Sequence, residues 1–255
     1  MPTHAPRPTV CIRWFLATCL GACVGTPTPE PPDNLPRPDD WKIFGGSVPL
    51  ATTTDVRELV SPIPFAGSVG SVAPNSELWV VNLDRAEVSP LTVIADAQGG
   101  FTGMLSAQLN DRVRLVSRTD SQHSLPLDAY VITGMNNQAQ LAQLPSTELS
   151  CLRVTPAEEL TAVVGNDVTR RFTLTSTCSE PISLDARLRF GDAGFAIDAP
   201  TSLPANGRAE ITVRITGHDD PREHADILLL DVESGANRGR YALGVWSVAA
   251  SRLDD

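Results

Sequence analysis

The sequence predicts an all-β protein with two tandem antiparallel β-sandwiches, preceded by a signal peptide and a proline-rich tether. Most of the chain after residue 41 consists of short apolar segments at hairpin spacing, separated by turns rich in Gly, Asp, Asn and Pro. Two segments, 182–190 and 208–215, alternate apolar and polar residues, which is typical of strands with one face in water. A length of 255 residues is sufficient for two domains of ordinary size.

The first 22 residues have the features of a secretory signal peptide. Arg7 and Arg13 supply positive charge, and the apolar run 14–20 follows. This run is too short to span a bilayer, which needs about 20 apolar residues. At its end, Leu20-Gly21-Ala22-Cys23 resembles the lipobox of bacterial lipoproteins, in which an aliphatic residue and two small residues precede a cysteine. The resemblance implies cleavage before Cys23 and lipidation of its thiol. The alternative is an ordinary signal peptide with an unrelated cysteine.

The charge of the chain bears on its partners and location. The formal net charge is −10, and removal of Arg7 and Arg13 leaves the mature chain at about −12. The sequence contains no basic patch, which argues against nucleic acid, so a link to the membrane would depend on the lipid. We expect an exported protein that is lipid-anchored to the bacterial envelope. Val24, rather than aspartate, follows the cysteine, which favours the outer membrane or cell surface over the inner membrane.

Residues 23–40 are predicted to form the lipidated cysteine and a tether. Prolines recur throughout this segment, and its apolar content is too low for a core. Proline at this density favours extended polyproline II at about 3.1 Å per residue, so the tether could span about 50 Å.

Residues 41–134 are predicted to form the first sandwich. Gly70–Val80 contains a turn and the start of a strand with many apolar residues. Asp96–Phe101 has the pattern D-x-x-G-x-F, and Leu109–Val113 contains a polar turn. These motifs resemble bacterial Ig-like and carboxypeptidase-regulatory-like domains, and the resemblance implies a fold but no activity. We expect the Asp96 side chain to stabilise its own turn rather than to bind calcium. Asn110 stands where the family has glycine, and asparagine tolerates positive φ.

Residues 135–147, polar and rich in alanine, are predicted to be a linker, and residues 148–250 the second sandwich. Within the latter, 227–230 is apolar at every position, which predicts a central strand. Val154-Thr155-Pro156, 171–174 and 203–207 resemble Ig-like domains of the abnormal-spindle and hydin type. The N-x-G of that family is replaced by Ser176-Thr177-Cys178 here. The resemblance implies a sandwich and is silent on function.

The cysteines predict one disulfide. Of five cysteines, Cys11 and Cys19 lie in the signal peptide and Cys23 is assigned to the lipid, which leaves Cys151 and Cys178. In an exported protein a remaining pair is most simply a disulfide. Two buried thiols or a metal pair are the alternatives, but no companion histidine or cysteine has zinc-ligand spacing.

The sequence contains no recognised catalytic or nucleotide-binding motif, so we predict no catalytic residues and no cofactor. The densest group of potential ligands is His218, Asp219, Asp220 and His224, in a loop between two strands. These residues are the candidates for a divalent metal, but charge runs are usual in loops, so the sequence favours a solvated acidic loop and we predict no metal site. Ser121, His123 and Asp128 can be combined into a hydrolase triad on paper, but nothing in the sequence orients them.

The sequence therefore predicts a non-catalytic, lipid-anchored envelope protein. Its Ig-like modules would bind an envelope protein or a glycan, or would act as a structural spacer. The first alternative is a periplasmic assembly factor that acts by strand addition. The second is a weak divalent-metal binder or an accessory protein of an enzyme.

Overall fold

The computed structural model describes residues 35–39, 43–45, 61–120, 122–133, 139–142, 147–164, 166–191, 194–218 and 223–249. These residues form seventeen strands in four sheets, and two sheets face each other in each sandwich. The predicted all-β, Ig-like sandwich fold is confirmed. No helix within the described ranges is long and apolar enough to cross a membrane.

The first sandwich contains eight strands in chain order. They are β1 Ile43–Gly45, β2 Ser61–Gly67, β3 Glu77–Asn82, β4 Leu91–Ile94, β5 Phe101–Ala107, β6 Arg112–Arg118, β7 Leu127–Thr133 and β8 Ala139–Ala142. One sheet has the order β1-β2-β5 and the other β4-β3-β6-β7-β8, with antiparallel pairing in both. Its core lies between the sheets and includes Phe65, Leu78, Leu105, Leu115 and Val131.

Two turns of this sandwich follow from residue chemistry. The Asp96 carboxylate accepts hydrogen bonds from the backbone N–H groups of Gln98 (2.8 Å) and Gly100 (2.9 Å), which lowers the pKa of Asp96. Gly99 in the same turn has φ of 78° and lies against the Val72 carbonyl, so a side chain has no room there. Asn110 has φ of 70°, the left-handed conformation expected of it.

The second sandwich contains nine strands in chain order. They are β9 Leu152–Thr155, β10 Glu159–Val164, β11 Val168–Ser176, β12 Ile182–Leu188, β13 Phe195–Asp198, β14 Ser202–Leu203, β15 Arg208–Ile215, β16 His224–Ser234 and β17 Asn237–Ala249. The sheets have the orders β13-β15-β11-β9 and β10-β17-β16-β12-β14. Pairing is antiparallel except between β10 and β17, which run parallel.

The core of the second sandwich includes Phe172, Leu174, Ile211, Leu228 and Leu230. Along β15, Ile211, Val213 and Ile215 are fully buried while the intervening residues are not, so the predicted alternation is realised. Strand β16 lies between β12 and β17 and is buried on both of its faces. The structure also places a disulfide between Cys151 and Cys178, with a Cα separation of 5.0 Å.

Two boundaries differ from the sequence prediction. Residues 35–39, assigned to the tether, contact the first sandwich: Leu35 N–H donates to the His123 carbonyl (2.8 Å) and Asp39 N–H to the Ser71 carbonyl (2.8 Å). Residues 139–142, assigned to the linker, form β8 and pair with β7. Short polar segments of this kind gain their structure from neighbouring strands rather than from their own pattern.

Candidate functional site

The two sandwiches pack against each other through the outer faces of their five-stranded sheets. The buried contact, here called the seam, has an apolar centre formed by Trp79, Val81, Leu83, Val116, Ile227, Leu229 and Trp246. The first four belong to the first sandwich and the other three to the second. This contact explains why β3 and β16 are apolar at successive positions: one parity fills a sandwich core and the other fills the seam.

Aromatic rings form the middle of the seam. The ring centroids of Trp79 and Trp246 are 5.9 Å apart in an edge-to-face arrangement, and those of Trp79 and Phe190 are 5.6 Å apart. Such pairs add about 0.5–1.5 kcal/mol each beyond the area they bury. Both tryptophans therefore pack between the sandwiches rather than in either sandwich core.

At one end of the seam, the guanidinium of Arg189 binds a loop of the first sandwich. Its nitrogens donate to the backbone carbonyls of Asn82 (2.9 Å), Ala86 (3.1 Å), Val88 (2.9 Å) and Arg85. Arg189 follows β12 and is buried, and burial lowers its pKa against the opposing effect of nearby carboxylates. One side chain of the second sandwich thus satisfies four carbonyls of the first.

The loop that Arg189 binds is itself ordered by side chains. Asn82 Oδ1 accepts hydrogen bonds from the backbone N–H groups of Asp84 (3.0 Å) and Arg85 (3.1 Å), and Asn82 Nδ2 donates to Asp111 (2.8 Å). The Arg85 side chain also pairs with Asp111. The four carbonyls are therefore held in place by the first sandwich alone, which favours binding of a rigid, planar donor.

At the other end of the seam, His123 of the first sandwich lies between two carboxylates of the second. Its Nδ1 is 3.1 Å from Glu223, and its Nε2 is 3.2 Å from both carboxylate oxygens of Glu159. The ring stacks on Trp246 with 3.9 Å between centroids, and the residue is 3% exposed. Burial by itself lowers the pKa of His123, but the bonds and charges of Glu159 and Glu223 outweigh it and raise the pKa to about 9.

This arrangement makes the stability of the seam depend on pH. The pKa of His123 rises from 6.5 in the unfolded chain to about 9 in the folded protein, so its contribution is complete below pH 6.5 and is lost as pH rises through 9. At 1.36 kcal/mol per pKa unit, the contribution is about 3 kcal/mol. We expect the urea concentration at the unfolding midpoint of the wild type to decrease as the pH is raised from 6.5 to 9.5.

His123→Gln is the variant that tests this pH dependence. Glutamine carries no titrating charge, so the fall in the urea midpoint over this interval should largely disappear. His218→Gln is the matched control, because it removes a histidine that lies outside the seam. An unchanged pH profile in His123→Gln would contradict the assignment.

Two clefts open beside the seam. The larger, about 930 Å³, is lined by charges of both signs, and the ion pair between Arg240 and Asp84 joins the two sandwiches there. Arg240 also pairs with Asp231. Burial raises the pKa of Asp231, but its bonds to Arg240 and Arg187 lower it overall. The smaller cleft, about 290 Å³, is lined by Arg37, Arg112, Arg114 and Arg240 together with several carboxylates.

Of the residues predicted to carry a metal or lipid site, the structure describes only His218 and His224. Cys23, Asp219 and Asp220 lie outside the described residues. The rings of His218 and His224 stack at 4.0 Å, and His218 Nε2 is 2.7 Å from the Ser247 hydroxyl. The described part of the chain contains no group of three or more His, Cys, Asp or Glu side chains arranged to hold a metal.

Ser121, His123 and Asp128 are not shown to form a hydrolase triad, and the two that the structure describes have other partners. Ser121 is outside the described residues, Asp128 binds Arg114, and His123 is enclosed by Glu159 and Glu223. Sequence reasoning missed the seam roles of His123 and Arg189 because their partners lie 36 to 107 residues away in the other sandwich. The available signal was the double-sided apolar pattern of β3 and β16, which indicates a covered outer face without naming what covers it.

No protein-family model and no curated protein matches the sequence. Among solved structures, the chain is similar to SSP-19, an MSP-domain protein like family member of Caenorhabditis elegans, with 16% identity, 38% of this chain and 98% of that chain covered, and a TM-score of 0.31. The chain is also similar to the VesB protease of Vibrio cholerae, with 10% identity and a TM-score of 0.37. That match covers 68% of this chain and 62% of the protease chain. At these identities and TM-scores, the similarities give no information on activity or partners.

Proposed function

We propose that the protein is a non-catalytic, lipid-anchored protein of the bacterial envelope whose two Ig-like sandwiches act as one rigid unit. The seam is the observation that supports the rigid unit, and the lipobox resemblance at Leu20–Cys23 is what supports the anchor. Its apolar centre, the Arg189 contact and the His123 ion pairs all join the first sandwich to the second. The polar side chains of the seam thus have a mechanical role, holding the two sandwiches in one orientation.

Rigidity suits a spacer or a module that presents a surface to a protein or glycan. Tandem domains joined only by a linker reorient freely, whereas a large buried contact fixes their relative position. Residues 35–39 lie against the first sandwich, so the tether that this proposal requires is shortened from 23–40 to the segment 24–34 after the lipidated cysteine. At about 3.1 Å per residue in polyproline II, that segment reaches about 30 Å from the lipid.

The anchoring part of the proposal is tested at Cys23. We expect Cys23→Ser to abolish metabolic palmitate labelling and to move the protein from the membrane fraction to the soluble fraction, because the serine hydroxyl does not accept the diacylglyceryl group in a lipoprotein pathway. Cys19→Ser is the matched control, since that cysteine would leave with the signal peptide. A Cys23→Ser protein that stays labelled and membrane-bound would exclude the lipobox.

Strand addition is a second candidate function, favoured by strand β4. It ends its sheet among the described residues, and its Ile94 is 66% exposed. An exposed apolar edge strand is a template for pairing with another chain. If β4 accepts a client strand, Ile94→Lys should abolish co-purification of a client from envelope extracts. Val69→Lys, at a 61% exposed turn residue, should not. Equal recovery with both variants would exclude β4.

A further inference from the structure

Strand β6 turns two arginines toward the second sandwich, and they differ in their partners. Arg112, Arg114 and Val116 share one face of β6, and this face is the one directed at the seam. Arg114 binds Asp128 in a bidentate manner, with Nε donating to Oδ1 (2.7 Å) and Nη2 to Oδ2 (2.9 Å). Its Nη2 also donates to the Ala242 carbonyl across the seam.

Arg112 has the same pair of donors without a protein acceptor. The residue is 5% exposed, its Nη1 donates to the Arg240 carbonyl at 3.4 Å, and its Nε and Nη2 are buried without a hydrogen-bond partner. The Nη1 of Arg114 is also buried without a partner. Burying a cation with two unpaired donors is unfavourable, and burial lowers the pKa of Arg112 against the opposing charges of Asp128 and Asp84.

The surroundings of Arg112 favour an anion of limited charge. Three other arginines line the same cleft, but Arg37 pairs with Glu158 and Arg240 with Asp84 and Asp231. Asp128, Glu148 and Glu158 also line the cleft, and their charges oppose a dianion. Tyr130 and Thr147 also line the cleft. A volume of about 290 Å³ admits only a small molecule.

We propose that this cleft binds a small organic monocarboxylate: Nε and Nη2 of Arg112, which are closed to solvent in this structure, would turn toward the cleft and donate to its two oxygens. The pairing of Arg114 with Asp128 shows the geometry two residues away on the same strand: the Nε and Nη2 donors of a guanidinium match the two oxygens of a carboxylate. The ligand would lie between β6 and the residues of the second sandwich that line the cleft. Its binding would therefore strengthen the seam, and this inference does not depend on the lipid anchor.

The test is a titration of the full mature chain with sodium propionate against sodium chloride at constant ionic strength. The readouts are the nitrogen-15 resonance of the Arg112 Nε–H group and the thermal unfolding midpoint. We expect a saturable shift of that resonance and a rise in the midpoint with propionate. Chloride, which cannot bridge two donors in the same way, should give neither. Inorganic phosphate should bind more weakly than propionate because of the lining carboxylates.

Arg112→Met tests the assignment, because methionine removes both the buried charge and the paired Nε and Nη2 donors, here called the fork. We expect at least a tenfold weaker response to propionate, with unfolding in chloride unchanged or shifted upward. Arg238→Met is the matched control: it removes the same charge from a side chain that is 81% exposed beside the neighbouring cleft, and its response should stay within about twofold. If Arg112→Met fails to fold, Arg112→Lys retains the charge without the fork and should show the same loss.

Three results would overturn the proposal. They are the absence of a saturable propionate response in the wild type, an equal response in the Arg112 variant, and a phosphate or chloride response as strong as that of propionate.

Discussion

Replacing Arg189 with alanine is expected to lower the free energy of unfolding by about 3–5 kcal/mol, because a hydrogen bond to a charged group contributes about 1.5–3 kcal/mol and water can replace only the more exposed of the four. The physical reason is the number of groups that lose their donor. Four backbone carbonyls of the 82–88 loop accept from this one guanidinium; the bond to Asn82 is buried, the other three are partly buried, and the Arg85 carbonyl also accepts from the Val88 N–H (3.2 Å). Each buried acceptor left without a donor costs about 1–3 kcal/mol unless water reaches it.

The measurement is urea denaturation followed by tryptophan fluorescence, because Trp79 and Trp246 lie in the seam and report on its opening. Arg171→Ala is the control, since Arg171 forms an exposed ion pair with Glu210 (3.3 Å), for which we expect a loss below about 1 kcal/mol. The seam should also open before either sandwich core unfolds in the Arg189 variant, which would appear as a separate early transition. Equal losses in the two variants would contradict the role assigned to Arg189.

The parts of the fold that the sequence predicts are those with local causes. The alternation of β15, the turn held by Asp96 and the positive φ of Asn110 each depend on residues within a few positions of one another. Propensity and side-chain chemistry act at that range, so a single sequence contains the signal.

The seam depends on contacts that no local pattern contains. The apolar run 227–230 predicts a central strand, and β16 is central, but the reason for its second apolar face lies in the other sandwich. The carbonyl partners of Arg189 and the Glu223 partner of His123 are about a hundred positions away, and the Glu159 partner of His123 is 36 positions away. The parallel pairing of β10 with β17 is non-local in the same way, and the sequence analysis expected only antiparallel pairs.

Charged residues were the least predictable part of the candidate site. The histidines and aspartates of the 218–226 loop are close in sequence, so a sequence pattern indicates them. The buried ionic groups of the seam are far apart in sequence and form no such pattern. Arg112 and Arg114 lie within an alternating strand, where an arginine is normally read as facing water. Their burial becomes evident only when the second sandwich covers that face.

Loss of the Cys151–Cys178 disulfide is expected to lower the free energy of unfolding of the second sandwich by about 3–4 kcal/mol in the chain-entropy model. The two cysteines are separated by 27 positions and join the ends of neighbouring strands. Strand β9 begins at Leu152, opposite Ser176 of β11, so both cysteines lie just beyond the paired residues. Without the cross-link, the unfolded chain regains the freedom of that loop, while the strands must still pair.

Mass spectrometry of the unreduced mature protein should detect a peptide cross-linked through Cys151 and Cys178. For the energetic effect, we expect Cys151→Ala, Cys178→Ala and the double variant to lose similar amounts of stability, because each breaks the same covalent bond. Hydrogen exchange should locate the loss, with amides of β9 and β11 exchanging faster and those of β3 and β6 nearly unchanged. Additive losses in the double variant, or free thiols at both positions in protein recovered from the envelope, would show that packing and not a disulfide accounts for these two residues.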